Sequence, residues 1–209
     1  MSNERKANIT WLTDLLATGG DLSFDERMAE EQVAEIVEDE VELIIDMREE
    51  ANDKALWEEE GLYYLWLPTD DAEGHHIPRE LFDDAVFAAM PHLTQNRKVL
   101  VHCHMGVNRG PSVAFAVLLE QGYGAVQAYD LIREKRPSAA IMYAEDALKA
   151  HIRRHGPTHG DGTYTRQQCV QMSDALKARI REVWTPEERA RVKRIIREHR
   201  EQDRYERDR

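Results

Sequence analysis

The chain has 209 residues, 42% hydrophobic and 33% charged, with a formal net charge of -12; that is enough for a substantial core in one domain plus an extension, and the acidic balance argues against broad nucleic-acid binding while leaving room for one local anion site. Two cysteines, Cys103 and Cys169, exclude a disulfide framework and favour a reducing compartment. The opening stretch MSNERKANITWLTDLLATGG lacks an apolar segment behind its charges, and the apolar run Val113–Leu119 is too short to span a bilayer, so a cytoplasmic protein with no membrane partner is expected.

In chain order, SFDE (Ser23 to Glu26) has capping-box spacing, and Ala29, Val33, Ile36 and Val37 follow at helical intervals. VELIIDM (Val41 to Met47) and LYYLWLP (Leu62 to Pro68) read as strands. Between Pro78 and Gln95, Leu81, Phe82, Ala85, Val86, Ala89, Met90 and Leu93 form one apolar stripe of helical period. Val99 to His102 is the next strand, and helices are expected over Pro111 to Gln121, Ala125 to Lys135 and Ala139 to Arg154. This alternation predicts an α/β fold, a central, mainly parallel twisted sheet flanked by helices.

HGPTHGDG (His155 to Gly162) punctuates the chain, with Gly156 and Pro157 ending the preceding helix. The expected division is a catalytic unit over residues 8–156 and a charged helical C-terminal extension over 157–209. In that extension Cys169, Met172, Leu176, Ile180 and Val183 share one helix face. A second helix starts at TPEE, where Thr185 caps, Pro186 takes the first position and Glu188 completes a capping box. Mixed charges there suit a solvated face, and the extension either packs back on the domain or self-associates.

The stretch VLVHCHMGVNRGPSVAF carries the chemistry. Strand Val99–Val101 runs into His102 and Cys103, five residues follow, and Arg109 precedes a helix start at Gly110 and Pro111. A short loop between a strand and a helix N-terminus turns backbone N–H groups inward and, with the positive end of the helix dipole, makes a pocket for a tetrahedral anion. Gly106 permits a positive φ or a close approach, and Arg109 returns a planar fork to two oxygens of the anion. The same field is expected to lower the Cys103 thiol pKa and make it a nucleophile. A proton donor for the leaving group is available in WLPTDDAEGHH, with Asp71, or its neighbour Asp70, on a mobile loop. His75 and His76 read as solvated loop residues.

The pattern HCHMGVNRG, at His102, Cys103, Gly106 and Arg109, resembles the signature of the cysteine-dependent protein tyrosine phosphatase superfamily, in particular its small dual-specificity branch. ITWLTDLLATGG, VELIIDMREE, YLWLPTDD and LLEQGYGAVQAYDLIREKRPSA extend the similarity over about residues 8 to 155. The resemblance implies a phosphatase that hydrolyses phosphotyrosine, with phosphoserine and phosphothreonine as further substrates, through a cysteinyl-phosphate intermediate and with no cofactor. Cys103 would be the nucleophile, Arg109 the phosphate clamp and Asp71 the general acid. The amides of His104, Met105, Gly106, Val107, Asn108 and Arg109 would cradle the phosphoryl oxygens, and His102 would support the loop by hydrogen bonding. One departure stands out: the residue after the arginine is Gly110 where the family usually has Ser or Thr, with Ser112 two residues on, and slower breakdown of the covalent intermediate is expected.

Three other readings compete. A phosphatase for a non-protein phosphate (nucleotide, RNA 5′ end or phosphoinositide) is disfavoured by the absence of Lys and Arg among His104, Met105, Val107 and Asn108. Asn108 beside Arg109 nevertheless resembles the related RNA triphosphatases. A low-turnover phosphate-binding module is kept alive by Gly110. A zinc site from His102, Cys103 and His104 is poor, because consecutive side chains on an extended strand point to opposite faces, and no second cysteine pair or HxxxH spacing accompanies them.

Overall fold

The structure, a computed structural model, describes residues 6–71 and 75–207. Its strands are β1 (Ile9–Trp11), β2 (Leu16–Gly19), β3 (Val41–Asp46), β4 (Tyr63–Trp66) and β5 (Lys98–His102). They form one sheet in the order β1-β2-β5-β3-β4, antiparallel between β1 and β2 and parallel elsewhere. The central strands read as continuous apolar runs because both faces are covered. Successive side chains point to opposite faces. Leu43, Ile45, Val99 and Val101 therefore enter the larger core, and Ile44 and Leu100 between them enter the smaller one.

The smaller core is closed by Val33 and Ile36 of α1 (Glu26–Glu38) and Trp57 of α2 (Lys54–Glu59). The larger core lies under α3 (Arg79–Thr94), α4 (Arg109–Glu120), α5 (Ala125–Lys135) and α6 (Ala144–His155). This is the α/β architecture expected from the alternation of elements.

Register positions the site. Gly19 pairs with His102, His102 with Asp46, and Asp46 with Trp66, so four parallel strands end in one row. The loops leaving that row carry Asp21, Arg48 and Glu50, Asp70 and Asp71, and the Cys103–Arg109 segment. Binding groups collect beyond the carboxyl ends of strands in open α/β sheets for this reason.

Several boundaries differ from expectation. Asp25, not Ser23, caps α1, its carboxylate accepting from the Met28 amide at 2.9 Å, while Ser23 Oγ accepts from the Asp25 amide. The helix expected from Ala139 starts only at Ala144, because the preceding amides are committed elsewhere: Ala140 N–H to Val107 O, Met142 N–H to Asn108 Oδ1 and Tyr143 N–H to Ser112 Oγ. Ile141 has φ 51° in that turn. α4 opens at Arg109, two residues before Pro111, and α2 was not anticipated.

The C-terminal helices α7 (Arg166–Val183) and α8 (Pro186–Arg207) return to the same chain. Leu176 is buried in the larger core, with Met172, Ile180 and Val183 against it. Val192 of α8 joins Val107 and Ala140 in a third small cluster. Thr185 Oγ1 accepts from the Glu188 amide as expected of a cap, but the Glu188 carboxylate does not close the box: it pairs with Arg133 and Arg191.

Candidate active site

Cys103 is 1% exposed at the end of β5, directly before the loop. The loop's carbonyls are tied outward: His104 O accepts from the Asp21 amide at 2.8 Å, Gly106 O from Arg136 Nε at 2.7 Å, and Val107 O from the Ala140 amide at 2.6 Å. With those carbonyls held from outside, the amides of Gly106 and Gly110 reach the Cys103 sulfur. Gly106 has φ +63°, and a Cβ there would stand 2.5 Å from the Gly19 carbonyl carbon and 2.6 Å from the Gly20 nitrogen. No side chain fits, which explains the glycine.

Arg109 is buried beneath this loop. Its Nη1 donates to Glu50 Oε2 at 2.9 Å and to Thr69 O at 2.9 Å, and its Nη2 to Glu50 Oε1 at 2.7 Å. The Nε is buried and has no hydrogen-bond partner, lying 3.7 Å from Asp71 Oδ2. Glu50 thus takes the outer edge of the guanidinium, and the inner donor is unspent. A buried donor without an acceptor costs free energy unless something fills the role.

Asp71 faces the same space. Its Oδ1 accepts from Asn108 Nδ2 at 2.6 Å and from the Tyr143 hydroxyl at 3.0 Å. Asn108 also accepts from the Met142 amide at 2.7 Å, so one side chain bolts the acid loop to the sulfur loop and to the α5–α6 connection. Asp70 is exposed and accepts from the Asp71 amide. His75 Nε2 lies 3.2 Å from Thr69 Oγ1, and exposed His76 pairs with Asp146.

Burial pushes the Cys103 thiol up; the Arg109 charge and the Gly110 and Gly106 amides pull it down, and the Asp71 charge adds to the upward side. The net direction is upward, which corrects the expectation of a lowered thiol in the ligand-free site. The sulfur is sealed from water, and the charge of Asp71 opposes a second negative charge nearby.

His102 supports the loop through its main chain, its carbonyl accepting from the Met47 amide at 3.0 Å. Its Nε2 is buried without a hydrogen-bond partner, 3.6 Å from Asp46 Oδ2. Burial lowers its pKa. Behind it, buried Asp46 is held by Arg48 and by the Tyr64 hydroxyl, and Arg48 also pairs with Asp21 and Asp53. His104 Nδ1 completes this buttress at 3.2 Å from Asp21 Oδ2. Burial works upward on Asp21 and Asp46, and their cationic and hydrogen-bonded neighbours outweigh it, holding both carboxylates low.

Met105 and Val107 turn away from the sulfur toward Val192, Ile195 and Trp184. Gly110 sits tight against β5: a Cβ would meet the His102 carbonyl carbon at 3.1 Å and the Cys103 nitrogen at 3.2 Å. Ser112 is buried and spends its oxygen on the Tyr143 amide.

The sequence reading missed Glu50, Tyr143 and Arg136. Glu50 follows β3 on the same strand-end row as Cys103, which was the available signal. Tyr143 and Arg136 reach the site through the α5–α6 turn, whose path no local pattern reveals.

Comparison with known proteins identifies the fold and the family. The family model for the dual specificity phosphatase catalytic domain matches residues 26–148. The chain is 30% identical over 76 residues to human dual specificity protein phosphatase 5, covering 36% of this chain and 20% of that protein. It is 34% identical over 96 residues to mouse laforin, covering 44% and 28%. The aligned segments thus span less than a third of these relatives' length. Among solved structures, Tk-PTP in its active form superimposes with a TM-score of 0.58 at 20% identity, covering 68% of this chain and 94% of that one. PTPMT1 in complex with PI(5)P does so with 0.57 at 18%, covering 70% and 98%. With the family match spanning well over half of the chain and including the Cys103–Arg109 loop, this protein belongs to the dual specificity phosphatase catalytic-domain family.

Proposed function

We propose that the chain is a cysteine-dependent phosphatase that hydrolyses phosphotyrosine, with phosphoserine and phosphothreonine as further substrates, in a cytoplasmic, reducing setting. Residues 8–156 form the catalytic unit and 157–209 an extension seated on it. The observation that carries the reading is the grouping of the buried Cys103 sulfur, an Arg109 Nε with no hydrogen-bond partner, and the Asp71 carboxylate 3.7 Å from that Nε, with both charges acting on the sulfur.

The phosphoryl group enters against the loop amides, and the inner edge of Arg109 takes two of its oxygens. The Cys103 thiolate attacks phosphorus, so an S–P bond forms as the P–O bond to the leaving group breaks. Asp71 gives its proton to the departing oxygen. In the second half a water, deprotonated by Asp71, attacks phosphorus; the P–O bond forms, the S–P bond breaks and the thiolate returns. The competent resting state therefore needs one negative charge on sulfur and one proton on Asp71. The charge of Asp71 pushes the thiol up, so a protonated Asp71 lets the thiolate form more readily.

Turnover of an aryl phosphate by wild type and its loss in Cys103→Ser test the nucleophile, and acid-quenched phosphate on Cys103 tests the intermediate. Activity that survives the substitution refutes the reading. A wild type that binds phosphopeptide without turnover replaces it with a binding module. A panel of phosphopeptides, nucleotides and phosphoinositides then ranks the substrates.

A further inference from the structure

A second cluster of chemistry lies behind the core, away from the strand-end row. The spacing His-x3-His occurs at His151 and His155 of α6, which corrects the expectation that no HxxxH spacing accompanies the signature. Residues four apart lie on one helix face, and both rings turn toward Glu120, the last residue of α4. His151 Nδ1 stands 3.3 Å from Glu120 Oε2, and His155 Nε2 stands 3.0 Å from Oε1. The three ligand-type atoms all lie within 4.8 Å of one another.

The far nitrogen of each ring is already engaged. His155 Nδ1 lies 2.8 Å from Asp161 Oδ2, and His151 Nε2 lies 3.2 Å from the Tyr164 hydroxyl. A carboxylate only accepts, so Asp161 fixes the proton of His155 on Nδ1. The other nitrogen, Nε2, faces the Glu120 carboxylate at 3.0 and 3.1 Å, where a metal cation would take the place of a ring proton. Arg154 Nη2 donates to Glu120 Oε2 at 2.9 Å and orients the carboxylate.

We propose that Glu120, His151 and His155 bind one Zn2+, with Asp161 and Tyr164 as the outer groups that orient the two imidazoles. Tetrahedral zinc with bonds near 2.0–2.1 Å separates its ligand atoms by about 3.3 Å; His151 Nδ1 stands 3.3 Å and His155 Nε2 3.1 Å from Glu120 Oε2, and the three ligand atoms lie within 4.8 Å of one another. Two imidazoles and one carboxylate suit zinc and its transition-metal neighbours, whereas Mg2+ and Ca2+ demand more oxygen ligands. The carboxylate-backed histidine is the usual companion of such a ligand. Because Glu120 ends α4, the histidines end α6, and Asp161 and Tyr164 lie on the link to α7, the ion would staple the C-terminal extension to the catalytic unit.

The test uses full-length protein carrying Cys103→Ser, which removes the sulfur of the phosphatase site as a competing ligand. After chelator treatment, Zn2+ alone is titrated by calorimetry and the melting temperature is read with and without the ion. One ion per chain and a higher melting temperature are expected, with binding at least tenfold weaker in His155→Gln and in Glu120→Gln. Asp161→Asn, which removes only the outer partner, should weaken binding about 10–100-fold. Circular dichroism checks that each variant is folded. Should His155→Gln fail to fold, Glu120→Gln and Asp161→Asn decide. Absence of zinc uptake by folded protein, or uptake unchanged in the folded variants, overturns the proposal.

Discussion

Glu50 grips Arg109 by its outer edge, Oε2 accepting from Nη1 at 2.9 Å and Oε1 from Nη2 at 2.7 Å. The two residues come from different loops of the strand-end row, after β3 and after β5. Their contact leaves Nε buried, with no hydrogen-bond acceptor of its own, 3.7 Å from Asp71 Oδ2. A bidentate carboxylate fixes the plane of an arginine more firmly than a single bond does.

Removing that grip should misalign the clamp without emptying the site. Glu50→Ala is expected to lower kcat/KM for an aryl phosphate on the order of tenfold, about 1.4 kcal/mol of transition-state stabilisation. The effect stays modest because Glu50 is partly exposed and Arg109 keeps its bond to Thr69 O. Glu50→Gln, which keeps one acceptor, should fall between. An alanine variant as active as wild type would show that the loop alone positions Arg109.

Asp71 makes two separable predictions. As leaving-group acid, its change to Asn should slow a poor leaving group by about 10²–10⁴ and an activated one far less; equal loss on both would point to a structural role. As a charge beside sulfur, Asp71 pushes the Cys103 pKa up. Asp71→Asn removes that push, so the thiol ionises at lower pH than in wild type. The pH profile of iodoacetamide alkylation should therefore move downward in Asp71→Asn. A profile that stays put or moves up contradicts the coupling.

What could be read from the chain divides by range of interaction. The β3 and β5 strands were legible because VELII and VLV are buried on both faces, and the sulfur loop because Gly106 and Arg109 sit at fixed offsets from Cys103. Asp71 was legible as a carboxylate after a strand. Tyr143 was not, since its reach to Asp71 depends on a turn at Ile141 that interrupts an apparently continuous helical pattern. α2 spans only six residues, too few for a periodic stripe. Ser23 and Asp25 both suit a helix cap, and local geometry chose the second.

The Asp46–Arg48 pair buttresses the row from behind. Asp46 is wholly buried, so Arg48→Met would strand its charge; breaking a buried pair by removing one partner costs about 3–5 kcal/mol. The sign of the pH dependence follows from the same contacts. Asp46 and Asp21 are held below their ordinary value of 3.8 in the fold, so their contribution is fully present above that pH and is lost as pH falls through the lower folded values. Urea midpoints measured from neutral to acid pH should fall steeply below pH 4 in wild type. Arg48→Met should start lower and show a flatter acid limb. An unchanged midpoint at neutral pH would mean that the Tyr64 hydroxyl suffices to hold Asp46.

The last contact reaches the site from the far end of the chain. Val192 of α8 is 3% exposed against Val107, the same loop residue whose carbonyl is tied to Ala140. Arg191 donates to Pro137 O, and Glu188 pairs with Arg133, so α8 is pinned along the α5–α6 turn. Burying an unpaired carboxylate there costs several kcal/mol, more than a peripheral helix gains by docking, so Val192→Asp should release α8 and leave the core folded. Amide exchange over residues 186–195 is expected to accelerate sharply while protection of β3 and β5 persists. Because Val107 then loses one wall, kcat/KM should drop by a few-fold, about 1 kcal/mol or less. Unchanged exchange in α8 would show that the ion pairs, and not the Val192 seat, hold the helix against the loop.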